Sequence, residues 1–432
     1  MIKKNEKQRR VGVWLIGAYG GISTCLIAGI EGIKRGLYTT AGLVTELPQF
    51  RDIELVPLDN IVFGGCDVRE DTVIDSARRI NKTSGLIGGE IIEKTAPALS
   101  DIDSRISKGV VLNCGRAVEE FASRSSLTNR IPTSAIIEDI QTRLRLFRQS
   151  KALDDVVVVN LSSAEALSKR LPEHESLAAL SSCIEKDEKE KLSSGILYAY
   201  AAIDAGFPYV NFTSSISEEI PAIGELAEKR RVPHMGKDGK TGETLVKTVL
   251  APMFKARNLK VLSWISHNIL GNRDGAVLSN GDSAREKLKN KSEVLEKITG
   301  DPEVDSQVRI DFVKSLDDWK TAWNFIHFAG FLDTRMIMQF IWQGCDSALA
   351  APLVADLARL IEHAHRSGLS GAQRQLACFF KSPTGVDEQS FEKQFTHLME
   401  YVQKASGATA PARSGTVQDY SSDHGAEHNL HR

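Results

Sequence analysis

Several features that would place this protein in a special class are missing from its sequence. Lys and Arg number 54 against 56 Asp and Glu, so the chain lacks the basic footprint of a nucleic-acid-binding protein. No apolar run approaches the roughly 18 to 20 residues that a bilayer-spanning helix needs. The opening MIKKNEKQRR precedes an apolar run too short and too glycine-broken for a signal peptide. We therefore expect a cytoplasmic protein with no nucleic-acid or membrane partner.

Close metal-ligand and redox spacings are also absent. The six cysteines are scattered without a CxxC pair, and the ten histidines form no HExxH motif. Isolated thiols are typical of a reducing compartment, where they pack as small hydrophobic side chains. No Ser/His/Asp order or Cys/His pair indicates nucleophilic catalysis. With 42% hydrophobic and 25% charged residues, most of the 432-residue chain is expected to fold.

The stretch RVGVWLIGAYGGISTCLIAGIEGIKRGL, residues 10–37, predicts a strand, a glycine turn and a helix. Val11 to Ile16 is a short apolar run typical of a buried strand, and apolar residues then recur at helical spacing from Ile22. Glycines in such a turn let the backbone approach a pyrophosphate at the helix N-terminus. The spacing is GxxGG rather than GxGxxG, so a tight turn without a ligand is an equal alternative.

Three later stretches predict further strands of a parallel sheet: Asn60 to Phe63 leading into GGCDV, VVVVN at 156–160 and PYVNFTSS at 208–215. Ligands bind outside the carboxyl ends of such strands. The polar residues at these ends are Asp67, Ser162, Ser163, Asn211 and Thr213. Asp67 could bind an adenosine ribose, but it follows the glycines by about fifty residues where roughly twenty is usual. On spacing alone, a helix N-cap is the favoured role for it.

The segment 216–345 has a different character. It holds the loop GKDGKTGET (236–244) and a lysine-dense stretch, and strands are predicted at 307–313 and 336–346. GCDSALAAPLVADLARLIEHAH then predicts a long helix that begins at a Gly/Asp turn. The GKDGKTGET loop could form an anion-binding nest, although a solvated turn that caps a helix near Glu243 is the more common alternative. Residues 405–432 are small and polar, which predicts a disordered tail.

Three lysines are candidates for chemistry. Lys287 and Lys291 are four residues apart and would share a helix face. Clustered or buried lysines can have a lowered pKa and act as acid or base on a carbonyl substrate. A solvated charged face is the usual alternative. Lys381, in CFFKSP, follows an apolar run and by itself predicts a surface lysine at a strand end.

Taken together, the chain resembles the myo-inositol-1-phosphate synthase family over about residues 11–403, most closely its archaeal and bacterial branch. The resemblance rests on GAYGGIST, GGCDV, FPYVNFT, GKDGKTGET, HNILGNRDG, REKLKNKS, WQGCDSALAAP and FFKSP, in this order. It implies an α/β fold in which a Rossmann-type NAD-binding domain (10–215 and 346–404) is interrupted by an α+β catalytic and tetramerisation domain (216–345). It also implies a cytoplasmic homotetramer acting in inositol and phospholipid biosynthesis.

The implied reaction converts D-glucose 6-phosphate to 1L-myo-inositol 1-phosphate. C5 is oxidised by NAD+, C6 is deprotonated, the enolate closes on C1 in an aldol step, and the ketone is reduced by the same NADH. The catalytic positions implied by the resemblance are Lys287, Lys291, Lys381, Asp238 and Asp311. The NAD positions are Gly17, Tyr19, Gly20, Gly21, Ile22, Asp67, Ser162, Asn211 and Asp346. The positions for the substrate phosphate are Lys240, Thr241, Gly242, Glu243, Thr244, Asn268 and Asn272.

Three residues depart from the family pattern. Asp311 stands where eukaryotic members carry a catalytic lysine, which suggests a divalent or monovalent cation in place of that charge. Glu243 replaces a glutamine, so only its backbone N–H is expected to face a phosphate. Arg273 replaces an asparagine.

Two alternative functions stay open. One is a related NAD-dependent cyclase or dehydrogenase that acts on another sugar phosphate. The other is a binding protein without chemistry, and retention of all three lysines argues against it.

Overall fold

The structure, a computed structural model, describes residues 9–123, 128, 130–165, 169–271 and 295–407. Within them the chain forms a seven-stranded and a four-stranded sheet with helices. The strands are β1 (Val11–Ile16), β2 (Ile61–Asp67), β3 (Ile106–Lys108), β4 (Asp155–Asn160), β5 (Tyr209–Asn211), β6 (Pro233–Met235), β7 (Lys260–Leu270), β8 (Asp305–Phe312), β9 (Trp319–Ala329), β10 (Arg335–Cys345) and β11 (Gly371–Ala372). The α-helices are α1 (Gly21–Lys34), α2 (Val73–Ser84), α3 (Gly89–Asp103), α4 (Arg116–Glu119), α5 (Thr133–Ser150), α6 (Leu177–Glu185), α7 (Ser194–Asp204), α8 (Pro221–Arg230), α9 (Gly242–Ala256), α10 (Asp346–Arg366) and α11 (Phe391–Ala405).

The seven-stranded sheet is parallel throughout, in the order β11-β6-β5-β4-β1-β2-β3. In β1, Val11 lies opposite both Ile61 of β2 and Asp155 of β4. Because the strand order reverses beside β1, a crevice opens there outside the carboxyl ends of the strands. The predicted α/β fold with a Rossmann-type sheet is thus confirmed.

Burial on both faces explains why β1 is a continuous apolar run. All six of its residues are buried. Val11, Val13 and Leu15 belong to the hydrophobic core that also contains residues of α1 and α10. Trp14 and Ile16 point to the opposite face, where they join the core formed with α5 and α7. A strand with helices on both sides has no solvent-facing position, so polar alternation is absent.

The four-stranded sheet has the order β10-β9-β7-β8, with β7 and β8 parallel and the other pairs antiparallel. Its inner face packs on α9, where Trp264 and Ile326 share a core with Phe254. The strands predicted at 307–313 and 336–346 lie here as β8 and β10, and the predicted long helix follows as α10.

The predicted domain division stays a prediction, with one structural qualification. The range 216–345 contains β6, yet β6 pairs with β5 and β11 in the parallel sheet. The chain therefore leaves this sheet only after Met235. Strand β6 holds only three residues and begins with a proline, so neither apolar alternation nor a long apolar run marks it in the sequence.

Two further expectations concern the C-terminus and membranes. Helix α11 ends at Ala405, and residues 408–432 lie outside the described part, so the disordered tail stays a prediction. Across the residues that the structure describes, no helix combines the length and apolar character needed to traverse a bilayer.

Candidate functional site

A cavity of about 550 Å³ opens outside the carboxyl ends of β1, β2 and β4. Its opposite wall comes from the four-stranded sheet, through Leu270, Ile310 and Lys320. The sequence-predicted residues that line it are Gly17, Tyr19, Gly20, Gly21, Ile22, Asp67, Ser162, Ser163, Asp238, Thr244, Asp346 and Lys381. The structure thus brings predicted cofactor-binding and predicted catalytic residues to one cavity.

The glycine turn between β1 and α1 forms one end of this cavity. Gly17 has a φ of +86°, which a residue with a side chain rarely adopts, and its carbonyl accepts from the Gly20 N–H at 3.0 Å. A Cβ on Gly21 would lie 2.5 Å from the Ser347 hydroxyl oxygen. The first N–H groups of α1 have no partners within the helix. Lack of side chains therefore keeps a helix N-terminus open to an anionic group.

Asp67 ends β2 and is only 4% exposed. Its carboxylate accepts from the Tyr19 N–H at 2.8 Å and from the Arg69 N–H at 2.9 Å. The Arg69 guanidinium adds two contacts of 3.1 Å, one to each carboxylate oxygen. The N-cap role that spacing favoured is wrong, because Thr72 caps the following helix α2 with a hydrogen bond to the Asp75 N–H. Asp67 instead fixes the glycine turn from the neighbouring strand.

These features fit a dinucleotide. A side-chain-free turn before α1 suits a pyrophosphate, and a carboxylate at the end of β2 suits ribose hydroxyl groups. The lining of the same cavity includes the apolar residues Ile80, Val110 and Phe121. NAD would be held by the glycine turn and Asp67.

Lys381 and Asp238 form an ion pair on the cavity wall. The Lys381 ammonium donates to the Asp238 carboxylate at 2.8 Å, and the Lys381 N–H donates to the Asp238 carbonyl at 2.7 Å. Burial on its own would lower the pKa of Lys381, but Asp238, with Asp346 and Glu243 also contributing, holds it above its ordinary value. The ammonium therefore stays charged, which suits stabilisation of negative charge on a substrate oxygen.

Two charged residues on the opposite wall were not predicted from the sequence. Lys320, at the start of β9, lies 3.6 Å from the Asp346 carboxylate, and Asp318 accepts weakly from the Ser347 N–H at 3.3 Å. Both line the cavity. The sequence of β9 carries a pattern that could have indicated Lys320. Lys320, Ala322 and Asn324 are spaced two apart, which places them together on the inner face of the sheet.

The predicted phosphate loop reaches the cavity only in part. Thr241 caps α9 without a side-chain bond, Gly242 opens the helix, and Thr244 lines the cavity. Glu243 is buried and its carboxylate lies 3.7 Å from the ammonium of Lys247, while the expectation that only its N–H faces a phosphate stays a prediction. The N-terminus of α9 therefore points toward the cavity with Thr244 beside it.

Three other predicted residues lie behind the cavity wall. Lys240 is buried, its ammonium donates to the Gln394 side chain at 2.6 Å, and burial lowers its pKa to about 8. Asn211 is buried too and binds its own turn, donating to the Ser215 carbonyl at 2.8 Å. Asn268, on the inner face of β7, makes a long contact of 3.5 Å to the Arg309 carbonyl. These three side chains therefore bind neighbouring protein groups around the cavity.

Asp311 lies on the other side of the four-stranded sheet. Its neighbour Ile310 lines the cavity, so strand alternation directs Asp311 away from it. Its carboxylate is 2.6 Å from the Nε2 of His267. Within the described ranges, no group of three His, Cys, Asp or Glu residues is arranged to hold a metal ion. A cation at Asp311 stays a prediction.

Several predicted residues lie outside the described part of the chain, which omits 272–294. They are Lys287, Lys291, Asn272 and Arg273. Gly271, the last described residue before this gap, lines the cavity.

Comparison with known proteins agrees with the fold and with NAD binding. Residues 11–403 match the family model for myo-inositol-1-phosphate synthase, an NAD-binding family. The inositol-3-phosphate synthase 1 of Bacteroides thetaiotaomicron is 33% identical over 410 residues, which cover 90% of this chain and 92% of that protein.

Two solved structures share the architecture. The inositol-3-phosphate synthase of Caenorhabditis elegans has a TM-score of 0.81 at 21% identity, covering 94% of this chain and 87% of that chain. A myo-inositol-1-phosphate synthase-related protein of Thermotoga maritima has a TM-score of 0.72 at 22% identity, covering 91% and 98%. At these identities the structures support the fold, and the family assignment comes from the sequence match. The chain belongs to the myo-inositol-1-phosphate synthase family.

Proposed function

We propose that this protein is an NAD-dependent isomerising cyclase that converts D-glucose 6-phosphate to 1L-myo-inositol 1-phosphate, the first step of inositol biosynthesis. One observation carries the proposal: a single cavity holds the glycine turn and Asp67 together with the Lys381–Asp238 pair. Cofactor and substrate would therefore meet in one place. The family membership and the inositol-3-phosphate synthase among its relatives support the same reaction.

The substrate would be oxidised at C5, deprotonated at C6, closed onto C1 by aldol addition and reduced again at C5, so no net redox change occurs. Bound NAD supplies the hydride acceptor and later the hydride donor. Lys381, kept charged by Asp238, is suited to stabilise the oxyanion that develops during enolisation and ring closure. Lys287 and Lys291, assigned by family resemblance, would supply the base for C6 and further positive charge.

The substrate phosphate would lie at the N-terminus of α9. There Thr244 faces the cavity, and the first N–H groups of the helix favour negative charge. Lys320 lies on the facing wall and adds a cation within the same cavity. Glu243 would contribute only its N–H, because its carboxylate lies near Lys247.

A homotetramer is part of the proposal, and the outer face of the four-stranded sheet supports it. This face carries Trp323, Ile337 and Ile341, which are 38%, 57% and 69% exposed. Large exposed apolar side chains grouped on one sheet face mark an association surface. We propose that copies of the chain associate through this face, in the cytoplasm, with the product serving inositol and phospholipid synthesis.

The test is to incubate the purified protein with glucose 6-phosphate and catalytic NAD+ and to identify the product by phosphorus and proton NMR. We expect inositol 1-phosphate without accumulation of NADH, because the cofactor is regenerated in each cycle. Stoichiometric NADH, or no inositol phosphate, would overturn the proposal. Turnover of a different sugar phosphate would favour a related cyclase or dehydrogenase instead.

A further inference from the structure

Glu218 is a buried carboxyl group beneath the proposed catalytic pair. It lies between β5 and α8, is 1% exposed, and packs against the loop that carries Asp238. A Cβ built on Gly236 would be 2.0 Å from the Glu218 Oε1 atom. The side chain therefore occupies the space that only a glycine at position 236 leaves free.

The loop that carries Asp238, residues 236–240, pairs with the loop that carries Lys381, residues 380–384. We name them the Asp238 loop and the Lys381 loop. Lys237 and Ser382 exchange backbone hydrogen bonds of 3.0 and 3.2 Å. At the end of this ladder the Thr384 N–H donates to the Gly236 carbonyl at 2.7 Å. The relative position of the Lys381 and Asp238 side chains depends on this pairing.

The hydrogen bonds of the Thr384 hydroxyl depend on the protonation of Glu218. The Thr384 hydroxyl oxygen lies 3.0 Å from the Glu218 Oε1 and 3.1 Å from the Gly236 carbonyl oxygen. A hydroxyl group has one proton to donate, and a carbonyl can only accept. When Thr384 donates to Gly236, its contact with Oε1 is satisfied only if Oε1 carries a proton and donates to Thr384. On the other oxygen, the Ser217 hydroxyl donates to Oε2 at 3.0 Å.

We propose that Glu218 is a positioning residue that acts as a neutral carboxylic acid, donating to Thr384 and thereby fixing the Asp238 loop against the Lys381 loop. The proposal rests on the proposed function of the Lys381–Asp238 pair. Ionisation of Glu218 would draw the Thr384 proton to the carboxylate and remove one of the two hydrogen bonds that Gly236 accepts. The same event would leave a negative charge in the protein interior, which is costly unless it is compensated.

The surroundings of Glu218 favour its neutral form more than those of an exposed glutamate do. Burial first, and then the like charge of Glu219, raise its pKa from 4.5 to about 7, while Asn211 and Ser217 oppose the shift. Lys237, the cation of the Asp238 loop, is paired with Glu219 at 2.5 Å. On the β5 side, Tyr209 is buried and its own pKa is raised. Burial and the neighbouring carboxylate therefore shift the ionisation of Glu218 toward neutral pH.

The kinetic test compares wild type with Glu218→Gln, whose amide can donate to Thr384 at any pH. A group of pKa about 7 is mostly protonated at pH 6 and mostly ionised at pH 8. If protein with an ionised Glu218 does not turn over, the ratio of wild-type kcat to Glu218→Gln kcat with glucose 6-phosphate falls about tenfold from pH 6 to pH 8. Groups common to both proteins, including Lys381, cancel in this ratio. A constant ratio across the range would overturn the proposal.

Thr384 provides the matched pair of variants. Thr384→Ser keeps the hydroxyl and should retain the wild-type pH profile. Thr384→Val removes it and should lower kcat at every pH while abolishing the tenfold change seen in wild type. A Thr384→Val profile identical to wild type would contradict the role of this hydrogen bond.

A measurement without turnover separates this proposal from the proposed function. The infrared difference spectrum between wild type and Glu218→Gln at pH 6 should show the C=O stretch of one protonated carboxyl group, and that band should vanish by pH 9. Its absence at pH 6 would refute a neutral Glu218 whatever reaction the protein catalyses. Its presence in a protein that makes no inositol phosphate would refute the proposed function and leave the protonation of Glu218 established.

Discussion

Replacing Lys381 with methionine should remove turnover while leaving the fold and NAD binding in place. Methionine has a similar length without the charge, so the change removes the ammonium that Asp238 holds at 2.8 Å. The glycine turn and Asp67 belong to other loops of the cavity. The substitution therefore isolates the electrostatic role of one side chain.

The expected loss of stability and the expected loss of turnover differ in size. The Lys381 and Asp238 side chains are 25% and 30% exposed, so solvent screening limits the loss of unfolding free energy to about 1 kcal/mol. Removing one preorganised donor that faces a developing oxyanion costs about 10²–10³ in kcat, or about 2.7–4 kcal/mol. The loss of turnover should therefore exceed what destabilisation explains.

The assay measures kcat by inositol phosphate formation, the NAD dissociation constant by isothermal titration, and the melting temperature. Lys393→Gln is the matched control, because Lys393 is a surface lysine paired with Glu388 and lies outside the cavity. We expect the control to keep wild-type kcat. A Lys381→Met protein that turns over within about threefold of wild type, or that loses NAD binding in parallel with kcat, would refute the assignment.

Three further predictions follow from the geometry. Gly21→Ala places a Cβ 2.5 Å from the Ser347 hydroxyl oxygen. It should weaken NAD binding about tenfold, measured by isothermal titration, and adding Ser347→Ala should restore part of the affinity. An unchanged affinity would contradict the binding of NAD at the glycine turn. Ile341→Asp puts a charge on the exposed sheet face and should lower the mass measured by light scattering while NAD binding persists; an unchanged mass would exclude that face. Burial lowers the pKa of Lys240 from 10.5 to about 8. Between these two pH values the unfolded chain binds a proton that the folded chain lacks, so the free energy of unfolding of the wild type rises with pH. Lys240→Met should remove that rise, and a rise that persists in the variant would contradict the prediction.

The parallel sheet could be predicted because its central strands carry strong local signals. Val11 to Ile16 and the run at 156–160 are buried on both faces, which leaves an unbroken apolar stretch in the sequence. The glycine turn and the helix that follows are equally local. By contrast, β6 and β11 have three and two residues, and their place in the sheet depends on neighbours distant in the chain.

Two residues implied by the family resemblance, Asp67 and Lys381, line the cavity. Asp67 stands at the end of a strand, where residue type and position already indicate a ligand contact, whereas Lys381 follows a short 3-10 helix and could be assigned only by resemblance. Lys320 was missed because its role depends on which face of β9 meets the parallel sheet, a property of tertiary packing. Asp311 shows the same limit, since a shift of one residue along β8 exchanges it with Ile310.

The strand order also determines when in folding the site can form. The glycine turn comes from the first twenty-one residues, whereas Ser347 and Lys381 belong to the last fifth of the chain, and all of them face one cavity. Contacts between such distant segments cost loop-closure entropy and form slowly. During synthesis the glycine turn and Asp67 leave the ribosome long before Lys381, so the cavity would be complete only when nearly all of the chain has emerged. Assembly of the proposed catalytic pair would therefore follow the folding of the central strands.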